Sequence, residues 1–289
     1  MMTYNNSCSR FFYTVKKRRK QMKKNYSELS FTDDFMFCKV LVSQPNLCKE
    51  LLELLLGIEI RKIEMAESQK TIEMTYDGKG IRFDVYTEDE KNTVYDIEMQ
   101  TTSQKDLPKR SRYYQGMVDL NLIERGAKFK QLKNSYIIFI CLDDPFGYNL
   151  PIYTFRNYCQ QNKEIELGDA TAKVIINAKG SREGLSDDMI AFLDFISENK
   201  TNSEFTKKIK QAVNDAIEHK EWEVEYMTMY AKLQEAEERG AIRASISTAK
   251  KYHAKNTDIC RDLMLDFQLT EEEAYEEIKK YDESLLQEI

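Results

Sequence analysis

The chain has 289 residues, 42% hydrophobic and 32% charged, with 10 Gly and 4 Pro, a composition suited to one large or two ordinary domains with long regular elements. No apolar run approaches the roughly 18 residues of a membrane-spanning helix, and two histidines exclude chemistry resting on several imidazoles. The net charge of −6 conceals an asymmetry, because residues 1–26 carry eight Lys or Arg and no acid, leaving a strongly acidic body.

The basic head, Lys16-Lys17-Arg18-Arg19-Lys20 followed by Lys23-Lys24, reads as a disordered extension, and Met22 is a plausible natural beginning. A grip on a phosphate backbone through counterion release is the alternative. Without the apolar core of a secretory signal, the protein is expected in the cytoplasm. Six cysteines, Cys8, Cys38, Cys48, Cys141, Cys159 and Cys260, contain no C-x-x-C pair and read as reduced thiols.

Thr32 is a good N-cap for a first helix that begins Asp33-Asp34-Phe35. Pro45 opens a second helix and Gly57 closes it. The period then changes to two: Ile58, Ile60, Ile63 and Met65 predict a strand, with further strands at about 69–76, 80–87 and 93–101. Asp77-Gly78-Lys79-Gly80 and Glu88-Asp89-Glu90-Lys91-Asn92 predict the turns of an antiparallel meander. Pro108 starts another helix that ends near Gly126. The run Ser135 to Leu142 is too apolar to face water on either side and predicts a central strand. Residues 151–157 and 171–178 add two strands. Helices are predicted at about 187–199, 203–239, 241–255, 258–267 and 270–284. In the longest, Ile209, Val213, Ala216, Ile217, Val224, Met227 and Leu233 form one apolar face. The domain division reads as 1–26 basic extension, 27–184 α/β domain, and 185–289 helical region.

Within 80–87, alternation places Arg82, Asp84 and Tyr86 on one face and Phe83 and Val85 on the other. Across the turn, Asp96, Glu98 and Gln100 share a face opposite Ile97 and Met99. Pairing that sets Asp84 opposite Glu98 brings their Cβ atoms to about 5 Å. Two carboxylates at that distance repel, and Mg²⁺ or Mn²⁺ would resolve the conflict with oxygen ligands and no histidine, the Met99 backbone carbonyl adding a further ligand. The same spacing fits a solvated sheet face with both acids as surface charges, which is the commoner case for such a pattern.

Residues 31–147 hold several pieces in a telling order: Thr32-Asp33-Asp34-Phe35-Met36-Phe37, then Phe83-Asp84-Val85, then Asp96-Ile97-Glu98-Met99-Gln100. Arg110-Ser111-Arg112-Tyr113-Tyr114 and an apolar strand ending Ile140-Cys141-Leu142-Asp143 follow. In these pieces the chain resembles the PD-(D/E)XK nuclease family transposases, the recombination-promoting nucleases. The resemblance implies a restriction-endonuclease-like α/β fold, a mixed sheet flanked by helices, which the residue pattern follows with an all-helical C-terminal region. It matches Asp84 and Glu98 to metal-binding acids, Gln100 to the position where many relatives carry lysine, and Asp34 to an acidic position on the first helix. Cys38 stands where the family commonly has Lys. A glutamine at position 100 can orient water but brings no positive charge, which leaves Lys39, Lys105, Lys109 or Arg110 as sources.

These readings lead to a Mg²⁺- or Mn²⁺-dependent DNA endonuclease linked to recombination or transposition, with Asp84, Glu98 and Gln100 catalytic. Arg110 and Tyr114, i and i+4 on a helix, are candidates for phosphate contact or for structure. Two other readings stand beside it, an RNase and a lapsed nuclease fold that binds DNA or a protein partner. The last two helices have helix-turn-helix spacing, but the second carries Glu271-Glu272-Glu273 and Glu276-Glu277, which repel phosphate. Packing or homo-oligomer formation is expected there.

Overall fold

A computed structural model describes residues 24–68, 71–72, 81–103, 105–123 and 126–287. Nearly all of the basic head and the Asp77–Gly80 turn lie outside the described residues.

The first helix, α1 (Asp34–Ser43), has Asp33 at its N-cap, one residue later than Thr32. The Asp33 carboxylate turns back, accepting from the Ser30 N–H (2.7 Å) and hydroxyl (2.8 Å), so it fixes the approach to the helix. Helix α2 (Pro45–Leu56) starts with Pro45 and ends at Gly57, whose φ of 63° is a left-handed conformation that suits glycine. Strand pairing begins only at Ile63. The expected strand start at Ile58 is instead a connection held to α2, because Glu53 Oε1 accepts from the Ile60 N–H (2.8 Å) and Ile60 is buried.

The main sheet has six strands in the order β1-β4-β5-β6-β8-β7. These are β1 (Ile63–Ser68), β4 (Val85–Asp89), β5 (Val94–Gln100), β6 (Ser135–Cys141), β7 (Ile152–Phe155) and β8 (Thr171–Asn177). Two short strands, β2 (Thr71–Ile72) and β3 (Ile81–Arg82), form a separate ladder. β1, β4 and β5 are antiparallel as expected, but the described part of the strand expected at about 69–76 pairs with β3 outside the main sheet; β6 joins β5 in parallel, β8 joins β6 in parallel, and β7 closes the edge antiparallel. The β5–β6 crossover is made through α3 (Leu107–Leu122), as a parallel connection requires.

The apolar run of β6 is central and covered on both faces, as its composition predicts. Side chains of one parity, including Ile137, Phe139 and Ile175, pack with Phe83, Tyr86, Leu107, Tyr114, Met117 and Val118 beneath α3. Those of the other parity, Ile138, Ile140, Val174 and Ile176, are also buried. Gly180 approaches the Pro151 backbone so closely that a Cβ would lie 2.5 Å from its Cα, so this crossing excludes a side chain.

The helices α4 (Asp187–Glu198) and α5 (Glu204–Glu218) associate with α1 and α2. Contacts divide the chain between Lys220 and Glu221, and residues 185–220 therefore group with the sheet rather than with the C-terminal helices. One helix was expected over 203–239, but the structure has a break at His219, which is extended (φ −80°, ψ 100°), and α6 (Lys220–Lys251) runs uninterrupted through Gly240. The break splits the apolar face: Ile209, Val213 and Ala216 are buried on α5, while Val224 (65% exposed) and Leu233 (51%) lie on α6. Beyond it, α7 (Asn256–Phe267) and α8 (Glu271–Gln287) bury Ile259, Leu263, Ala274 and Ile278 against Ile242 and Ile246 of α6. The helix-turn-helix spacing thus serves packing of this small helical unit.

Candidate active site

The site begins with strand register. Val85 faces Ile97 and Tyr86 faces Asp96, the pairing that, continued by one residue, sets Asp84 against Glu98. The expected alternation fails just before it: Phe83 and Tyr86 lie in the same apolar cluster, with ring centroids 5.8 Å apart. The reason is that β3 ends at Arg82 and β4 starts at Val85, so Phe83 and Asp84 make a bend instead of a pleat.

That bend turns Asp84 toward β5. Glu98 Oε1 accepts from the Asp84 N–H (2.9 Å), and Asp84 Oδ2 accepts from the Met99 N–H (3.0 Å). Each carboxylate thus holds a backbone donor from the other's segment. Each keeps an oxygen outside this reciprocal clasp.

The solvated-face alternative does not describe this sheet, since Glu98 is 3% exposed and its neighbour Asp96 is 0% exposed. Burial pushes the Asp84 carboxyl up to about 9, with Glu98 and Asp34 adding to the rise against the Met99 N–H. Burial likewise raises Glu98 to about 7, although the Asp84 N–H, Arg110 and Asp96 pull it down. Asp96 rises well above the carboxylate range, mainly by burial and then through Glu98 and Asp84, and neither of its oxygens has a conventional hydrogen-bond partner. Burial strips these three acids of hydration, so each binds a proton more readily than it would in water.

A family model described as PD-(D/E)XK nuclease family transposase matches residues 31–241. The chain belongs to this family. No curated protein and no solved structure matches it. The match extends past the residues 31–147 that carry the sequence resemblance, through β7, β8, α4 and α5 into α6. Membership points to a nuclease-type function, and nucleases of this kind generally use divalent metals. The mixed sheet with flanking helices is the restriction-endonuclease-like architecture that the family implies.

Within this family frame, Gln100 ends β5 beside Glu98. Its Nε2 donates to the Met99 carbonyl (3.1 Å), and its Oε1 accepts from Arg110 Nη1 (2.5 Å). Arg110 comes from the first turn of α3, where Pro108 and the Asp106 N-cap start the helix. Its guanidinium also donates to the Tyr114 hydroxyl (3.1 Å), lies 3.8 Å from Glu98 Oε2, and stacks over the Tyr114 and Phe139 rings. Tyr114 is buried under the sheet as part of the apolar cluster, so its body is structural while its hydroxyl orients Arg110. Of the four basic residues considered from sequence, the structure brings Arg110 to the acids, whereas Lys39 lies over the Phe35 ring. Lys105 and Lys109 are exposed at the start of α3.

Asp34, less firmly placed by sequence, reaches the site from α1. One ligand atom from each of Asp34, Cys38 and Asp84 lies within 4.8 Å of the others. Sequence reasoning assigned no role to Asp96 or Cys38. Asp96 shares the face of Glu98 by simple alternation, a signal present in the sequence; the closeness of Cys38 arises only because α1 crosses near the bend.

Proposed function

We propose that the protein is a divalent-metal-dependent DNA endonuclease that hydrolyses phosphodiester bonds, with Asp84 and Glu98 as metal ligands. The observation that carries this reading is the reciprocal clasp, which holds the buried Glu98 carboxylate and the half-buried Asp84 carboxylate beside each other where β4 and β5 meet. Their donor chemistry fits the ion: all-oxygen ligands suit Mg²⁺ or Mn²⁺, with remaining positions left for water and substrate phosphate. The Met99 carbonyl receives one bond from Gln100 and has a second lone pair to offer.

When bound, the cation supplies Lewis acidity and an activated water. The chain's own residues do the rest. Glu98 and Asp84 are oriented by backbone donors, so little reorganisation is needed when charge develops. Gln100, fixed between the Met99 carbonyl and Arg110, presents its amide beside the acids to orient the attacking water. Arg110, 3.8 Å from Glu98 Oε2, would supply the positive charge that a glutamine at position 100 cannot. Exposed Lys105, Lys109 and Arg112 along the start of α3 would draw the nucleic-acid backbone to an otherwise acidic protein. The family description supports a setting in DNA recombination or transposition.

The test is incubation of purified protein with plasmid and Mg²⁺ or Mn²⁺, beside Asp84→Ala and a chelator control. Cleavage should require the ion and vanish in the variant. Cutting that persists unchanged in Asp84→Ala overturns the assignment. Cleavage of RNA alone transfers the mechanism to an RNase, and Mn²⁺ heats that are unaffected by removing Asp84 and Glu98 favour a non-catalytic interaction protein.

A further inference from the structure

The clasp uses one side of Asp84; the other side faces α1. There Asp34 and Cys38, one helical turn apart, project from the same face of the helix. Cys38 Sγ lies 3.8 Å from Asp34 Oδ1 and 3.2 Å from the Asp84 main-chain oxygen. An oxygen of the Asp34 carboxyl also lies within 4.8 Å of one of the Asp84 carboxyl. Two carboxylate oxygens, a thiol sulfur and a main-chain carbonyl therefore converge from two segments distant in sequence. Cys38 is buried and its sulfur is held by the fold, unlike a surface cysteine. Glu98 does not belong to this group.

We infer that Asp34, Cys38 and Asp84 form a second cation seat, on the α1 side of Asp84, in which the Cys38 thiolate selects a thiophilic divalent ion of the zinc and cobalt class. The inference rests on the proposed metal role of Asp84 but not on that of Glu98. Sulfur is the discriminating donor. Mg²⁺ takes oxygen ligands and gains little from a thiolate, whereas Zn²⁺ and Co²⁺ accept mixed sulfur and carboxylate sets. Binding deprotonates the thiol, forms the metal–sulfur bond and releases the proton to solvent. No oxidant or reductant is consumed. Because Asp84 serves both seats, an ion held by Cys38 changes what Asp84 can offer on the Glu98 side, so a thiophilic ion would tune or displace the Mg²⁺-type activity.

The experiment uses Co²⁺ as the probe on the metal-free full-length chain. Wild type should develop a thiolate-to-cobalt charge-transfer band in the near ultraviolet that saturates with the metal. Cys38→Ser, nearly isosteric and still able to donate to the Asp84 carbonyl, should lose that band while retaining Mn²⁺ binding. Glu98→Gln should show the converse, losing Mn²⁺ binding and keeping the band. Asp34→Asn, which leaves every cysteine in place, should weaken Co²⁺ binding and provides a second variant if Cys38→Ser fails to fold. A band that survives Cys38→Ser, Co²⁺ binding without any band, or no Co²⁺ binding overturns the inference. A wild type that shows the cobalt band but binds no Mn²⁺ would count against the nuclease site and leave the thiolate seat standing.

Discussion

Replacing Glu98 with Gln should make the metal-free protein more stable at alkaline pH while removing its capacity for the catalytic ion. The side chain keeps its shape, and its oxygen can still accept from the Asp84 N–H. What disappears is a buried negative charge. Its carboxyl is displaced from the ordinary 4.5 to about 7, chiefly by burial. At 1.36 kcal/mol per pH unit, that displacement corresponds to about 3 kcal/mol of destabilisation once the group is ionised. The sign follows from proton binding. A raised acid holds its proton more tightly when folded, so its contribution is fully present below pH 4.5 and is lost as pH climbs through 7. Asp84, raised to about 9, extends the same loss to higher pH. The acids lowered in the fold, such as Asp144, act in the opposite direction only below their unfolded values and are silent in this window. Urea unfolding in a chelator at pH 5 and pH 8.5 measures the effect. Wild type should lose stability between these pH values, and Glu98→Gln should lose about 3 kcal/mol less. A wild type equally stable at both pH values, or a variant no better at pH 8.5, would refute the reasoning that the fold stores a charge conflict here. Saturating Mn²⁺ should stabilise wild type at pH 8.5 and leave Glu98→Gln unmoved, because only the charged pair offers differential binding to the native state.

Other substitutions test separate parts of the design. Gln100→Lys, which introduces the lysine that the sequence resemblance implies for this position, should lower plasmid cleavage by roughly tenfold or more, or about 1.4 kcal/mol, because its ammonium would meet the Arg110 guanidinium. Activity should recover in Gln100→Lys combined with Arg110→Gln; an active single variant would mean that Arg110 is not the substitute cation. Asp89 accepts from the Lys91 and Thr93 N–H groups and from the Tyr95 hydroxyl (2.9, 2.8 and 2.8 Å) at the β4–β5 turn. Asp89→Ala should cost about 2–4 kcal/mol in urea unfolding through the donors left without partners. Thr270 and Glu273 form a reciprocal cap at the start of α8, and Thr270→Ala should cost about 1 kcal/mol, read as earlier melting of the C-terminal helices by hydrogen exchange.

The pattern of residues was enough to place β5, β6 and β8 and to pair Asp84 with Glu98, because a period of two and a short turn restrict register strongly. Helix starts at Pro45 and stops at Gly57 were equally legible, since these residues act through their own backbone constraints. The break at His219 was not, for no proline or glycine marks it. The helix boundary expected between 239 and 241 is absent and Gly240 lies within α6, because a glycine's helix penalty of about 1 kcal/mol is small enough for the surrounding helix to override.

Chemistry divides along the same line. Local alternation in the sequence puts Asp96, Glu98 and Gln100 on one face and supplies the acids. The bend at Phe83–Asp84, the choice of Arg110 from four basic candidates, and the approach of Cys38 to Asp84 were decided by tertiary structure alone. The last two depend on where α3 and α1 cross the end of the sheet. Periodicity reports which side a residue faces, but not what long-range packing brings to meet it.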